Sequence, residues 1–192
     1  MHDHAHEHLK EDHRIGPLIA KYGRLEIGPA EDTFARFTTS IINQQLSSES
    51  AAAIRERVFE RFDVTPDAIL AADPDALKDT GLSGQKVEYI KNVAEAYQSK
   101  GLGVEYFEGV DDAAVAAELT EIKGVGTWTA KMFLIFCLGR EDVFPVEDLG
   151  IRKGMQALHE TDMSRAEMED AAEDWRPYRS YASRYVWRAV EG

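Results

Sequence analysis

The chain has 192 residues, with 22 Lys and Arg against 35 Asp and Glu, and a formal net charge of −13 at pH 7. This length suits one substantial core or two small helical lobes, and no apolar run approaches the roughly 18 residues that a membrane-spanning helix needs. Cys137 is the only cysteine, so the chain can form neither an internal disulfide nor a four-cysteine iron–sulfur cluster. Because the N-terminus is polar and rich in histidine, unlike a signal peptide, we expect a cytoplasmic protein without membrane association.

The acidic charge argues against nucleic-acid binding, since contacts to phosphate normally come from a basic surface. Acidic side chains fall mostly on predicted outer faces and loops, whereas basic ones gather in residues 123–131, 152–153 and 176–188. A locally basic groove on an acidic body would resolve this conflict. The scarcity of lysine would also suit a protein that works in high salt.

Residues 1–14 are predicted to form a disordered, His-rich tail, because no periodic apolar residues hold them in place. Metal capture is the alternative for this tail, since alternating His and carboxylate side chains can ligate divalent ions. The globular part, residues 15–192, begins with a helix that ends at Gly23.

Capping residues and helical spacing of apolar residues predict five more helices before residue 101. Asp32 and Ser47 each precede an apolar stripe, and the polar junction Asn43-Gln44-Gln45 lies between the two helices. Thr65-Pro66 and Asp73-Pro74 are starts of short helices, the second running to Gly81. An amphipathic helix over 85–100 follows.

Residues 119–154 contain two helix-like halves joined by Gly124-Val125-Gly126. We expect this turn to adopt positive φ and to lack side-chain bulk, so that N–H groups at the helix start from Thr127 can bind one phosphate. A simple turn between two helices, with glycines chosen for geometry, is the alternative.

Asp148 stands immediately before the apolar stripe of another helix, which predicts that it is a helix N-cap. A carboxylate at this position is held ionised by the helix field and by backbone N–H groups. It is therefore suited to oppose positive charge rather than to donate a proton. A capping-box pair, Ser164 and Glu167, and a last helix over 179–190 complete the prediction.

Four blocks in this order resemble the helix-hairpin-helix (HhH-GPD) DNA glycosylase superfamily, and within it the DNA-3-methyladenine glycosylase II branch. The blocks are IINQQLS (41–47), IKGVGTWTA (122–130), FPVEDLG (144–150) and WRPYRSYA (175–182), with Trp187 downstream. The resemblance implies an all-α fold with a helix-hairpin-helix motif and an active-site cleft between two helical lobes. The lobes would comprise residues 32–110, and residues 15–31 together with 111–192.

The resemblance also implies roles for individual residues. Asp148 would be the catalytic aspartate, and Gln45 would fill the space left by a flipped nucleotide. The pocket for the flipped base would include Trp128, Trp187, Met132 and Leu149. The DNA-contacting hairpin would comprise Lys123, Gly124, Val125, Gly126 and Thr127, and the carbonyls of Thr120, Ile122 and Val125 would hold Na⁺ or K⁺. Read without the resemblance, Gln45 suits a polar junction, and Trp128 and Trp187 suit ordinary core aromatics.

Bifunctional relatives carry a lysine where this chain has Trp128, and a tryptophan cannot form a Schiff base. We therefore expect a monofunctional, monomeric glycosylase that needs no cofactor and hydrolyses alkylated purines, of the 3-methyladenine and 7-methylguanine type, from double-stranded DNA. The alternatives are a non-catalytic helix-hairpin-helix DNA-binding module, a glycosylase for a different damaged base, and a metal-handling protein that works through the His-rich tail.

Overall fold

The computed structural model describes residues 2–191, and every regular element in that range is helical, which confirms the all-α prediction. None of these helices is long and apolar enough to cross a membrane. In chain order they are α1 (His2–Lys10), α2 (Ile15–Tyr22), α3 (Thr33–Asn43), α4 (Ser48–Arg61), α5 (Pro66–Ala71), α6 (Pro74–Lys78), α7 (Gly84–Lys100), α8 (Asp112–Thr120), α9 (Thr127–Phe136), α10 (Leu149–His159), α11 (Arg165–Ala172) and α12 (Arg179–Glu191), with a 3₁₀ turn at Glu173–Trp175.

The chain divides into two compact units. The central unit is Pro29–Leu138, and the terminal unit is formed by Met1–Gly28 together with Gly139–Gly192. This division differs from the predicted one, which assigned residues 111–138 to the terminal lobe. The hairpin helices α8 and α9 belong instead to the central unit, because α9 packs on α3.

Aromatic contacts build the core of the central unit. Phe37 of α3 and Phe133 of α9 lie with ring centroids 4.7 Å apart, and Phe107 approaches Phe133 at 5.9 Å. Cys137 is fully buried in this core, with its Sγ 3.6 Å from the carbonyl oxygen of Thr33. Burial raises the pKa of the Cys137 thiol to about 12, so it is a core residue rather than a reactive thiol.

Side-chain caps start most helices where the sequence predicts them. Asp32, Ser47, Thr65 and Asp73 each accept a hydrogen bond from a backbone N–H in the first turn of α3, α4, α5 and α6. Ser164 and Glu167 form the predicted capping box of α11. These caps are local interactions, which is why the sequence alone locates them. The helix from Pro74 ends earlier than predicted, at Lys78.

The prediction of a disordered tail over residues 1–14 is wrong, although Met1 itself lies outside the described residues. Residues 2–10 form α1, in which Ala5, His6 and Leu9 are fully buried. The ring of His6 packs edge-on against Tyr181 at 5.6 Å and Tyr185 at 6.3 Å, both on α12. A packed helix is normally recognised in a sequence by apolar residues at helical spacing. In α1 one of the buried positions is a histidine, whose partners on α12 are aromatic rings, so the sequence of this helix resembles a polar tail.

Asp12 fixes the connection from α1 to α2. Its Oδ1 accepts the N–H groups of Arg14 and Ile15, both at 2.8 Å, and its Oδ2 accepts the indole N–H of Trp175 at 3.1 Å. Burial alone would raise the pKa of Asp12, but these hydrogen bonds outweigh it and hold the pKa below its ordinary value. The segment before α2 is therefore anchored to the core of the terminal unit.

Helices α10 and α12 pack closely because Gly154 lacks a side chain. A Cβ at Gly154 would lie 2.4 Å from the carbonyl oxygen of Val186, well inside contact distance. This close approach places Trp187, the residue after Val186, near the start of α10.

Candidate active site and nucleic-acid interface

Asp148 is the N-cap of α10, as its position in the sequence predicts. Its Oδ1 accepts the N–H of Ile151 at 2.9 Å, and its backbone is extended, with φ −71° and ψ 132°. The positive end of the α10 dipole and this N–H therefore lie beside the Asp148 carboxylate. The carboxylate is held at a helix end in a fixed position.

Trp187 donates its indole N–H to the same oxygen, Asp148 Oδ1, at 2.8 Å. The sequence predicts Trp187 only as a pocket wall, and this hydrogen bond adds an orienting contact to the carboxylate. Two donors from different helices, α10 and α12, therefore fix one side of the Asp148 carboxylate.

Gly150 makes room for this contact. A Cβ at Gly150 would lie 2.9 Å from Trp187 Cδ1 and 3.0 Å from Asp148 Oδ1. This role is not apparent from the sequence alone. The one signal is that a glycine stands in the first turn of a helix, where it is unexpected because glycine is a poor helix former.

Arg152 supports the segment that leads into Asp148. Its Nη1 donates to the carbonyl oxygen of Glu147 at 2.6 Å and to that of Val146 at 3.3 Å. This contact is also missed from the sequence, where Arg152 reads as part of a basic cluster. Leu149, one residue after the aspartate, is 56% exposed, so a large apolar side chain faces solvent beside the carboxylate.

The glycine turn between α8 and α9 takes positive φ at Gly124 only. Gly124 has φ 104°, and a Cβ there would lie 2.2 Å from the ring of Tyr89 on α7. The expectation of positive φ is wrong for Gly126, which is extended with φ −97° and ψ 179°. A Cβ at Gly126 would meet nothing within 4 Å, so this glycine leaves open space in front of α9.

Gly126 is also the N-cap of α9, and no side chain caps that helix end. Val125 and Thr127 flank it, and Thr127 is exposed. Backbone N–H groups at an uncapped helix start form a ready anion site. The start of α9 is thus open to solvent and without a capping side chain, and phosphate contact at this turn stays a prediction.

Thr120 is the last residue of α8, and Ile122 and Val125 lie in the turn that follows it. The Ile122 oxygen accepts the N–H of Val125 at 2.9 Å, and a carbonyl oxygen has a second lone pair. Carbonyl oxygens are ligands that hard cations accept. The residues therefore fit a monovalent cation in donor chemistry.

Lys123 projects from the hairpin and forms an exposed ion pair with Glu88 of α7. The hydrogen bond that the Lys123 ammonium donates to the Glu88 carboxylate raises the pKa of Lys123. Asn92, also on α7, donates its side-chain amide to the Lys123 carbonyl oxygen at 3.0 Å. Helix α7 therefore supports the hairpin through side-chain contacts.

The loop between α3 and α4 is joined to the hairpin. The side-chain amide of Gln44 donates to the Gly124 carbonyl oxygen and to Thr129 Oγ1, both at 2.9 Å. Gln45, the next residue, is exposed and has φ 55°. The loop that carries Gln45 and the glycine turn are thus joined directly by side-chain hydrogen bonds within the central unit.

The three tryptophans differ in burial. Trp175 is fully buried, whereas Trp128 and Trp187 are half-buried. Trp128 lies in the first turn of α9, and Met132, one turn later, is buried. Among the predicted site residues, Asp148, Leu149 and Trp187 lie in the terminal unit, and Gln45, the hairpin, Trp128 and Met132 lie in the central unit. In the part of the chain that the structure describes, no three His, Cys, Asp or Glu side chains are grouped to hold a metal ion.

Comparison with known proteins places these features in a family. The chain is 31% identical over 186 residues to DNA-3-methyladenine glycosylase 1 of Schizosaccharomyces pombe, a match that covers 91% of this chain and 80% of the relative. It is 30% identical over 185 residues to DNA-3-methyladenine glycosylase 2 of Escherichia coli, covering 90% of this chain and 63% of the relative.

A solved structure gives the same result. The S. pombe 3-methyladenine DNA glycosylase in complex with abasic DNA superposes with a TM-score of 0.89 at 29% identity, over 98% of this chain and 97% of that one. A family model described as HhH-GPD superfamily base excision DNA repair protein matches residues 38–177, a range that includes the hairpin and Asp148. The resemblance found in the sequence is confirmed, and the chain belongs to the HhH-GPD superfamily of base excision DNA repair proteins.

Proposed function

We propose that this protein is a DNA glycosylase that hydrolyses the N-glycosidic bond of alkylated purines, of the 3-methyladenine and 7-methylguanine type, in double-stranded DNA. The observation that carries the proposal is the carboxylate of Asp148, held at the start of α10 by Ile151 N–H and by the Trp187 indole. The relatives named 3-methyladenine glycosylases support the same chemistry.

Asp148 is the catalytic residue of this proposal. As the bond between the sugar and the base breaks, positive charge develops on the sugar, and a fixed anion near C1′ stabilises that charge. The bonding electrons depart with the cationic base, which becomes neutral, and water adds to C1′ and loses a proton to solvent to leave an abasic site. Because both donors engage Asp148 Oδ1, the carboxylate keeps one orientation through the reaction.

The substrate class follows from the leaving group. Purines alkylated at N3 or N7 carry a positive charge, so they leave readily without a general acid. The electron-rich faces of Trp128 and Trp187 attract such cationic rings, by about 0.5–2 kcal/mol per face. Both indoles are half-buried rather than enclosed in a core, and the exposed Leu149 adds an apolar contact for the flipped base.

The hairpin explains how so acidic a chain holds DNA. Backbone N–H groups at the start of α9 bind phosphate without a lysine, and Gly126 lets the phosphate approach closely. Na⁺ or K⁺ held by the carbonyls of Thr120, Ile122 and Val125 would supply a positive charge next to that phosphate. Lys123 contributes a further cation, and Gln45 fills the gap that the flipped nucleotide leaves.

Single-turnover base release tests the assignment. Duplexes of one sequence context, each with 7-methylguanine, uracil or 8-oxoguanine, are incubated with excess enzyme. We expect rapid release of the methylated purine and little release of the other two, and Trp128→Ala should erode this preference. Release of uracil or 8-oxoguanine with 7-methylguanine left intact would contradict the alkylpurine assignment. Binding without any release would identify a non-catalytic helix-hairpin-helix module.

A second prediction concerns strand cleavage. Because Trp128 stands where bifunctional relatives have the attacking lysine, we propose that the enzyme is monofunctional. Borohydride should then trap no covalent protein–DNA adduct, and the product strand should break only after alkali or heat. A lyase-competent glycosylase, run in parallel, shows that trapping works. An adduct with this protein would disprove the prediction, and Lys123→Ala and Lys131→Ala would locate the amine.

A further inference from the structure

Residues 43–46 form a type II β-turn at the end of α3. Gln44 has φ −53° and ψ 127°, Gln45 has φ 55°, and the Leu46 N–H donates to the Asn43 carbonyl oxygen at 3.4 Å. These angles are close to the type II values of about −60° and +120°, followed by positive φ. The position with positive φ normally requires Gly or Asn, so Gln45 is held in an unfavourable conformation.

One peptide group decides the type of this turn. Types I and II differ mainly in the orientation of the central peptide, here the one between Gln44 and Gln45, whose carbonyl oxygen belongs to Gln44. In a type I turn that carbonyl would point to the opposite side, and Gln45 would have negative φ. The Gln45 side chain would then leave the backbone in another direction.

Lys86 holds that carbonyl. Its ammonium, which extends from α7, donates to Gln44 O at 2.7 Å and to Ile42 O at 2.5 Å, in the last turn of α3. Both are charge-assisted hydrogen bonds, and a cation at a helix C-terminus is favourable. Burial lowers the pKa of Lys86, because withdrawal from water disfavours the charged ammonium.

The turn is held from its other side as well. The Gln44 side chain is bound to Gly124 O and Thr129 Oγ1 of the hairpin. The residue before Gln45 therefore has both its carbonyl oxygen and its side chain fixed, and Gln45 itself, with Leu46 at 39% exposure, faces solvent.

We propose that Lys86 is a positioning residue that locks the type II turn and so sets the direction of Gln45 before DNA binds. The proposal rests on the proposed function in one respect, the role of Gln45 in filling the gap beside a flipped nucleotide. A side chain that is already directed at the gap loses less conformational freedom on binding. Lys86 thereby favours the flipped complex without contacting the DNA.

The conformation of the turn is measured first, because this measurement does not depend on enzymatic activity. In a type II turn the Gln44 Hα lies close to the Gln45 amide proton, whereas in a type I turn the two amide protons are close. Nuclear Overhauser effects should show the first pattern in the native protein and a shift toward the second in Lys86→Met, which keeps the aliphatic stem. An unchanged type II pattern in Lys86→Met overturns the proposal, whatever the catalytic result.

Lys91→Met is a matched control on the same helix. The Lys91 ammonium also donates to two backbone carbonyls, Leu70 O at 2.9 Å and Ala72 O at 2.8 Å, at the end of α5. We expect Lys86→Met to weaken binding to an abasic duplex about tenfold relative to undamaged duplex, and Lys91→Met to leave that ratio unchanged. Lys86→Arg should restore most of the loss. An equal loss in Lys86→Met and Lys91→Met would mean general destabilisation and would overturn the proposal.

A double-mutant cycle completes the test. Asparagine tolerates positive φ, so Gln45→Asn should favour the type II turn without help from Lys86. Lys86→Met should then cost about tenfold in abasic-duplex affinity in the native background and less than about threefold in the Gln45→Asn background. Equal costs in both backgrounds would refute a role through the turn. If the turn and the double-mutant cycle behave as expected but the protein releases no base, the role of Lys86 stands and only the proposed function is contradicted.

Discussion

Asp148→Asn is expected to reduce base release at least about 100-fold while the protein stays folded. The asparagine oxygen can still accept the Ile151 N–H, so the cap of α10 survives. The negative charge that opposes the developing sugar cation is lost, and 100-fold in rate corresponds to about 2.7 kcal/mol of transition-state stabilisation. Single-turnover release of 7-methylguanine, with thermal unfolding followed by circular dichroism, measures both quantities.

Asp111→Asn is the matched control for this variant. Asp111 caps α8 by accepting the N–H groups of Ala113 and Ala114, so the same substitution tests the loss of a capping charge away from the reaction. We expect Asp111→Asn to release bases at nearly the native rate. Near-native release by Asp148→Asn would remove Asp148 from the mechanism.

The second large effect is expected from Gly150→Ala, which we predict to lower the single-turnover rate about 10- to 100-fold. The added methyl group would lie 2.9 Å from Trp187 Cδ1 and 3.0 Å from Asp148 Oδ1. Either the indole or the carboxylate must move, and displacements of about 1 Å in a catalytic group can cost about 100-fold. Alanine is a better helix former than glycine, so helix propensity does not account for the loss.

Two variants sharpen this prediction. Gly28→Ala also adds a methyl group in the terminal unit, where nothing lies within 4 Å of the new Cβ, and should leave the rate unchanged. Trp187→Phe removes the donor to Asp148 while keeping an aromatic ring. If Gly150 acts by admitting Trp187, Gly150→Ala should add little to the loss already caused by Trp187→Phe. A native rate for Gly150→Ala would disprove the steric argument.

The sequence predicts the features that depend on neighbouring residues. Helix starts at Asp32, Ser47 and Asp148 follow from a capping side chain and the apolar stripe after it, and the structure confirms each of them. Both partners in a cap lie within about one helical turn, so their spacing is visible in the chain. The family blocks then connect these local features to a fold and to a reaction.

Contacts between distant residues account for most of what the sequence leaves out. Lys86 meets Gln44 across 42 residues and Trp187 meets Asp148 across 39, and no spacing rule connects such pairs. The sequence does not predict α1 for a related reason, because His6 is buried by aromatic partners near the other end of the described chain. The grouping of α8 and α9 with α3 likewise depends on which faces meet, which periodicity alone does not specify.

The terminal unit is built from two segments that are far apart in the chain, which determines the order in which the two units are completed during synthesis. Asp12 and Trp175, which hydrogen-bond within this unit, are 163 residues apart, whereas the central unit is one continuous stretch. On the ribosome, the segment with Gln45 and the hairpin emerges in full before Trp187 is translated. The Asp148 site is therefore completed last, and a chain released before α12 carries the proposed DNA-contacting elements without the Trp187 contact of the proposed catalytic site.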